Sequence, residues 1–240
     1  MHITFLGTRG NIKPSSKKHK MHTSLLLEHG KSRVMIDCGE SWLDKVDSIR
    51  PTHIVITHAH PDHAFGLQKG SPCPVWTTKK TWNLIDSYPI SKRKVILLNR
   101  KTKIGPFVFE AFSLIHSLKA PAVGYKINDK KKSIFYAPDV AWIDKRKKAM
   151  KNIDAYIGDG ATIFRSMIRK DKETGQIFGH ANVRQQLTWC QKEKVSHMII
   201  THCGSDIVTK EVSALKTIQE LAEQRGVFAE IAYDGLKKTI

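Results

Sequence analysis

Cysteine is scarce in this chain: Cys38, Cys73, Cys190 and Cys203 are the four in 240 residues, and no Cys-x-x-Cys occurs. That spacing supports neither a disulfide framework nor a cysteine zinc knuckle. Long apolar runs are missing too; none approaches the roughly 20 residues that a membrane-spanning helix needs. The opening Met-His-Ile-Thr-Phe-Leu-Gly lacks the charged region, long apolar stretch and cleavage site of a signal peptide. The expectation is a cytoplasmic, reduced protein without a membrane partner. There is no internal repeat at solenoid periods, no low-complexity tract and no dividing linker. Residues 1–240 are therefore read as one domain, of a length that can bury a real core. With 40% hydrophobic and 26% charged residues, wholesale disorder is excluded.

Acidic residues are the other shortage. There are 22 Asp and Glu against 40 Lys and Arg, a formal charge of +18. Such an excess favours polyanionic partners, RNA, DNA or a nucleotide, and says nothing of fold. The bases are clumped. Lys79, Lys80, Lys92, Arg93, Lys94, Arg100, Lys101 and Lys103 face a single acid, Asp86, over residues 79–103. Smaller clusters are Lys13, Lys17, Lys18 and Lys20; Lys130 to Lys132; and Lys145 to Lys148. Any one cluster fits a solvated loop equally well; four together point to phosphate.

Hydrophobic patterning gives many short strands and a few helices. Strands are expected at His2–Leu6, Ser24–Glu28, Val34–Asp37, Ile54–Thr57, Val95–Leu98, Phe107–Ile115, Val123–Ile127, Ser133–Ala137, Ala155–Gly158, Met198–Thr201 and Val227–Ala232. Ile54-Val55-Ile56 and Met198-Ile199-Ile200 are continuous apolar runs, as for strands covered on both faces. Helices are expected near 78–87, 182–193 and 211–225; the last carries Ala214, Ile218, Leu221 and Ala222 on one stripe, with Gly226 placed to end it. Residues 116–122 and 165–180 read as loops. The mixture predicts a layered α/β fold.

The decisive stretch is His58-Ala59-His60-Pro61-Asp62-His63. Imidazole nitrogen and carboxylate oxygen hold zinc-like ions at neutral pH, and four such groups fall within six residues. They follow directly on Ile54–Thr57, a buried strand that fixes where the loop begins. By composition alone the pattern should arise roughly once per thousand chains of this length.

The stretch resembles His-x-His-x-Asp-His, the signature of the metallo-β-lactamase fold superfamily, and the likeness extends over nearly the whole chain. Gly7 and Ile36-Asp37-Cys38-Gly39 match two early landmarks, the second with an Asp that supports the metal loop. His116, Asp139 in Tyr136-Ala137-Pro138-Asp139, and His202 in Ile200-Thr201-His202-Cys203-Gly204 match the remaining ligands in order. The resemblance implies a four-layer αββα sandwich holding two divalent ions, zinc first, with manganese as the alternative. His58, His60 and His116 would hold one; Asp62, His63 and His202 the other; Asp139 would bridge them.

Departures within the superfamily narrow the chemistry. His60 stands where the oxygen-reducing di-iron branch has Glu, and the bridging Asp speaks against the lactamase branches. The best match is the branch of tRNA 3′-end endoribonucleases and the cyclic phosphodiesterase of phosphonate catabolism. Its extra His has a counterpart in Gly179-His180-Ala181-Asn182-Val183. The long Gly/Pro-rich arm of the tRNA enzymes is absent. Lys13 to His22 replaces the Cys-rich zinc loop of the phosphonate enzyme, and no room exists after Asp139 for the large extra domain of the mRNA-end nucleases. The likeness implies a metal-dependent phosphodiesterase, with Asp62 orienting the attacking water and His180 as general acid. Basic clusters would hold flanking phosphates; Trp76, Trp82, Trp142 and Trp189 are stacking candidates, although Trp more often fills core. The alternatives are a thioester or lactone hydrolase and a non-catalytic nucleic-acid-binding protein. The oligomeric state stays open, a homodimer included.

Overall fold

The computed structural model describes residues 1–240. The strands of the first half are β1 (His2–Gly7), β2 (Ser24–His29), β3 (Ser32–Ile36), β4 (His53–Val55), β5 (Val75–Thr77) and β6 (Arg93–Val95). Then come β7 (Lys101–Ile104), β8 (Phe107–Ile115), β9 (Ala122–Asn128), β10 (Ser133–Ala137), β11 (Trp142–Ile143) and β12 (Ala155–Asp159). The last are β13 (Arg169–Lys170), β14 (Ile177–Phe178), β15 (His197–Thr201), β16 (Phe228–Ile231) and β17 (Lys237–Thr239). The α-helices are α1 (Val46–Ile49), α2 (Pro61–Ala64), α3 (Lys79–Leu84), α4 (Arg146–Met150), α5 (Val183–Glu193), α6 (Ser205–Thr209) and α7 (Glu211–Glu223). None is long and apolar enough to cross a membrane.

Two large sheets result, one in the order β17-β1-β2-β3-β4-β5-β6 and the other β11-β8-β9-β10-β12-β15-β16, with β7 also on β8, and β13-β14 form a separate two-stranded sheet. Each large sheet has an antiparallel half and a parallel half: β3 to β6 run parallel, as do β10, β12, β15 and β16. Side chains alternate across a strand, and the sequence uses both faces. Leu25, Leu27 and Val55 point into the core between the sheets, where they meet Phe107, Phe109, Tyr125 and Ile157. Leu26, Ile54 and Ile56 point the other way, against Trp42, Leu67 and Trp82 of the first helical layer. Likewise Ile199 faces inward, while Met198 and Ile200 pack on Leu187, Ile218 and Leu221 of α5 and α7. The layers are therefore helix, sheet, sheet, helix, as the resemblance implied.

Several boundaries differ from those expected. The strand read as Val95–Leu98 lies at Arg93–Val95, because its partner β5 ends at Thr77 and the ladder ends with it. Beyond it only Ile96 is buried, while Leu97 and Leu98 stay half exposed. The stretch 165–180 is not all loop, since β13 and β14 form a small hairpin there. The helix read as 78–87 stops at Leu84, and Thr78 caps its start by accepting from the Thr81 amide.

Candidate metal centre

The carboxyl ends of parallel strands are where side chains from separate segments meet. Beyond β4 the chain reaches His58, His60 and, on α2, Asp62 and His63; Pro61 occupies the first turn, where its missing N–H costs nothing. Beyond β3 comes Asp37; β8 leads to His116, β10 to Asp139 and β15 to His202. Asp37 and His202 adopt left-handed backbone, φ 62 and 51, which non-glycine residues visit mainly where the surroundings enforce it. Close packing matters as much: a Cβ on Gly39 would lie 2.0 Å from the Asp62 carbonyl oxygen, so only glycine lets the loop after β3 support α2.

All seven side chains named from sequence come together, in two quartets that share Asp139. In the first, His58 Nε2 lies 3.0 Å from His60 Nδ1, and His116 Nε2 lies 3.1 Å from that same atom. Asp139 Oδ2 closes the group at 3.2 Å from His58 and 3.4 Å from His116. In the second, Asp62 Oδ2 lies 3.1 Å from His202 Nε2 and 3.4 Å from His63 Nε2, and His63 Nε2 lies 3.1 Å from Asp139 Oδ2. Every one of these residues except His60 is buried.

Partners behind the cluster fix the rings. Asp37 accepts from His63 Nδ1 at 2.9 Å and from the Thr57 amide at 2.8 Å; Thr57 Oγ1 in turn contacts His58 Nδ1 at 2.9 Å. His116 Nδ1 donates to the Gly179 carbonyl. These bonds commit Nδ1 of His58, His63 and His116 and turn Nε2 inward.

Charge divides the quartets. Burial, with help from neighbouring imidazoles, holds His58 and His116 below the ordinary histidine value and brings His60 to about 4. Their nitrogens are thus neutral lone pairs. Burial acts on His63 and His202 in the same sense, but it is outweighed by Asp62, Asp37 and Asp139 at His63 and by Asp139, Asp159 and Asp62 at His202, and both are pushed well above that value. The same histidines hold Asp62 and Asp139 well below the usual carboxylate range despite burial.

The arrangement leaves polar atoms unmatched. His63 Nε2, Asp139 Oδ1 and His202 Nδ1 are buried without a hydrogen-bond partner. His202 Nδ1 and Asp139 Oδ1 approach to 3.0 Å without the alignment a hydrogen bond requires. Orphaned buried groups are costly, and the nitrogen and oxygen types gathered here are the ligands of divalent cations.

His180 lies among these groups. Its ring sits 4.9 Å from that of His116 and stacks on His202 at 5.7 Å, between centroids. Its Nδ1 is 2.7 Å from Asp159 Oδ2, a residue the sequence reading missed, at the end of β12. Asp159 and His180 form a further possible quartet with Asp139 and His202. Asp159 is nonetheless saturated by the protein: the Val140 amide donates to Oδ2 at 3.0 Å and the Ala161 amide to Oδ1 at 2.8 Å. Gln186 fixes its backbone on both sides. It orients His180, whose Nε2 makes no hydrogen bond within the protein. Burial lowers the His180 value, but the Asp159 carboxylate outweighs it and the net displacement is upward. A sequence signal existed: Ile157-Gly158-Asp159-Gly160 repeats the apolar strand ending in Asp near Gly that marks Asp37.

Of the tryptophans, Trp82 and Trp189 are core residues and Trp76 packs against the inter-sheet core. Trp142 is 40% exposed and lies against the Arg146 guanidinium.

Residues 32–203 match the family model described as the Beta-lactamase superfamily domain. The chain belongs to the metallo-β-lactamase fold superfamily. Among curated proteins, this metallo-β-lactamase-fold chain is 27% identical over 159 residues to Ribonuclease Z of Methanococcus maripaludis, 55% of this chain and 50% of that protein. It is 37% identical to Ribonuclease Z of Bradyrhizobium diazoefficiens over 70 residues, 27% of this chain and 22% of the other. The chain thus spans about half the length of these relatives, or less. Among solved structures, Zn(2+)-bound PqqB from Methylobacterium extorquens superposes with a TM-score of 0.78 at 15% identity, over 100% of both chains. Human tRNase Z, short form, gives 0.68 at 20%, over 100% of this chain and 99% of that one. At those identities the superpositions speak to the metallo-β-lactamase fold alone.

Proposed function

We propose that this chain is a metal-dependent phosphodiesterase acting on nucleic acid or a nucleotide-like phosphodiester. The observation that carries this reading is the Asp159–His180 pair, held at 2.7 Å beside the two quartets. It adds a mobile proton to a cluster that otherwise only binds cations. His58, His60, His116 and Asp139 would hold one divalent ion and Asp62, His63, His202 and Asp139 a second, zinc first and manganese as the alternative. Bound there, such ions supply Lewis acidity to a phosphoryl oxygen and acidify water.

The chain's own residues do the rest. Asp62 orients the attacking water, whose proton passes to solvent. His180, its Nδ1–H committed to Asp159, delivers a proton from Nε2 to the departing alkoxide. An alkoxide leaving a phosphodiester needs that proton, whereas thioester hydrolysis expels a thiolate that leaves without help. The +18 charge favours the same substrate class, as do relatives named Ribonuclease Z. The test is turnover by the zinc- or manganese-loaded chain of bis-(p-nitrophenyl) phosphate, labelled RNA, labelled single-stranded DNA and a thioester. Phosphodiester cleavage is expected; efficient thioester turnover without it would overturn the reading.

A further inference from the structure

Outside the metal centre, the strongest unexplained feature is a sheet face that lacks its helix. On β8 the even-numbered side chains face the outer helical layer, where Phe112 and Leu114 are buried in its core. Toward the amino end of β8 that layer stops. The same face continues as cross-strand rows: Lys101, Glu110 and Lys126 on β7, β8 and β9, then Lys103, Val108 and Asn128. Lys130 follows β9, and Lys148 and Lys151 of α4 and the residue after it close the far side of this open depression. A position on a strand that would ordinarily be apolar is lysine instead.

The charge there is not neutralised by the protein. Six lysines surround one carboxylate, Glu110, which is buried and already paired with Lys148 at 2.6 Å. Lys126 is half-buried and donates to the Lys151 carbonyl oxygen. Burial, with the Lys101, Lys148 and Lys151 charges, holds its ammonium below the usual lysine value. Lys101, Lys103 and Lys130 are exposed, and their side chains make no hydrogen bond or ion pair. Like charges gathered against a sheet face are unfavourable alone and favourable once phosphates neutralise them.

The location gives the length of the ligand. Glu110 precedes His116 by six positions along β8, about 20 Å of extended chain. On a helically stacked strand rising about 3.4 Å per phosphate along its axis, that is roughly six nucleotides, and on an extended strand fewer. The same edge of β8 pairs first with β7 and then, beside His116, with β11.

We infer that the lysine-lined face of β7, β8 and β9 is a docking site for the phosphate backbone of a polynucleotide whose scissile bond lies at the metal centre. This rests on the phosphodiesterase reading and narrows its substrate from nucleotides in general to strands long enough to reach both places. A cyclic phosphodiester or a mononucleotide would engage the centre and leave the lysines untouched.

The test compares wild type with the triple variant Lys101→Gln/Lys103→Gln/Lys130→Gln, and with a control that removes three exposed charges elsewhere, Lys192→Gln/Lys194→Gln/Lys216→Gln. Affinity for a labelled RNA is measured against salt concentration in a chelator, so that no cleavage intervenes. Loss of three backbone contacts should reduce the slope of log affinity against log salt by about 2 for a single strand. Cleavage of the same RNA by the loaded enzyme should fall with it, while bis-(p-nitrophenyl) phosphate turnover stays at the wild-type level. An unchanged slope, or an equal fall in the control variant, would overturn the docking site. Failure of wild type to cleave bis-(p-nitrophenyl) phosphate would instead overturn the phosphodiesterase reading, whatever the RNA slope.

Discussion

His180→Ala separates proton donation from packing. The imidazole touches the centre through two rings, His116 and His202, and is 18% exposed; its Nδ1 is committed to Asp159 and its Nε2 is free. A group so placed contributes typically 10²–10⁴-fold as a general acid, which at 1.36 kcal/mol per tenfold is about 2.7–5.4 kcal/mol of barrier. Turnover of a phosphodiester with an alkyl leaving group should fall by that factor. With p-nitrophenolate, which departs without protonation, the loss should shrink to a few-fold. Asp159→Asn is a poorer probe, because Asp159 also accepts from the Val140 and Ala161 amides, and an amide nitrogen would face a donor on one side. The assay is steady-state turnover of both substrates by wild type and His180→Ala, with ion content measured on the same samples. Equal losses on the two substrates, with ion content intact, would refute proton donation and leave His180 a packing residue.

Three other outcomes follow from the geometry. Asp139→Ala should lower ion content and turnover together, because both quartets lose a member; metal analysis giving one ion per chain in a fully active wild-type sample would refute the paired arrangement. Asp37→Ala, which frees His63 Nδ1 and the Thr57 amide, should weaken ion binding by about 10–100-fold, read by competition with a chromophoric chelator. Glu230 accepts from His197 at 2.8 Å and Lys238 at 2.7 Å, and those bonds outweigh burial to hold its carboxyl below the usual value. A depressed carboxyl stabilises the fold above its unfolded-state value and loses that contribution as pH falls through the folded one. Glu230→Gln should therefore cost about 0.5 kcal/mol near neutral pH, and the gap in thermal stability from wild type should close in acid.

What could be read from sequence was what lies close together in it. The four potential ligands of His58 to His63 declare themselves within six residues, and the apolar run before them fixes their strand. His116, Asp139 and His202 were each ordinary alone and acquired meaning from their order after that motif. Asp159 escaped because its role is a contact with His180, 21 residues away, in a segment read as loop. Strand β7 escaped for a related reason. Lys-Thr-Lys-Ile alternates as a strand should, but its outward positions carry lysine where a helix-covered sheet would have apolar residues, so the pattern looked like surface. The lysine clusters were visible as charge, yet Lys101, Lys126 and Lys148 come from three separate stretches, the first two united by the pairing of β7, β8 and β9 and the third by the contact of Lys148 on α4 with Glu110.

The strand ends explain why the centre can tolerate what it gathers. Three buried nitrogens and oxygens without hydrogen bonds represent a cost of about 1–3 kcal/mol each, and His58, His60 and His116 point nitrogens at one another at 3.0–3.1 Å. A loop standing alone would relax away from such a geometry. Here the residues are placed by strands whose side chains are spent in the inter-sheet and outer cores, Ile54 and Ile56 on one side and Met198, Ile199 and Ile200 on the other. Moving His58 or His202 means moving a strand packed on both faces. Asp37 and Asp159 then each use main-chain amides to lock one ring, His63 and His180 respectively. The first faces a ring whose inward nitrogen lacks a hydrogen-bond partner; the second faces a ring whose Nε2 makes no hydrogen bond within the protein. On the proposed reading, that division, more than the number of histidines, is what would separate a hydrolytic centre from a store of metal.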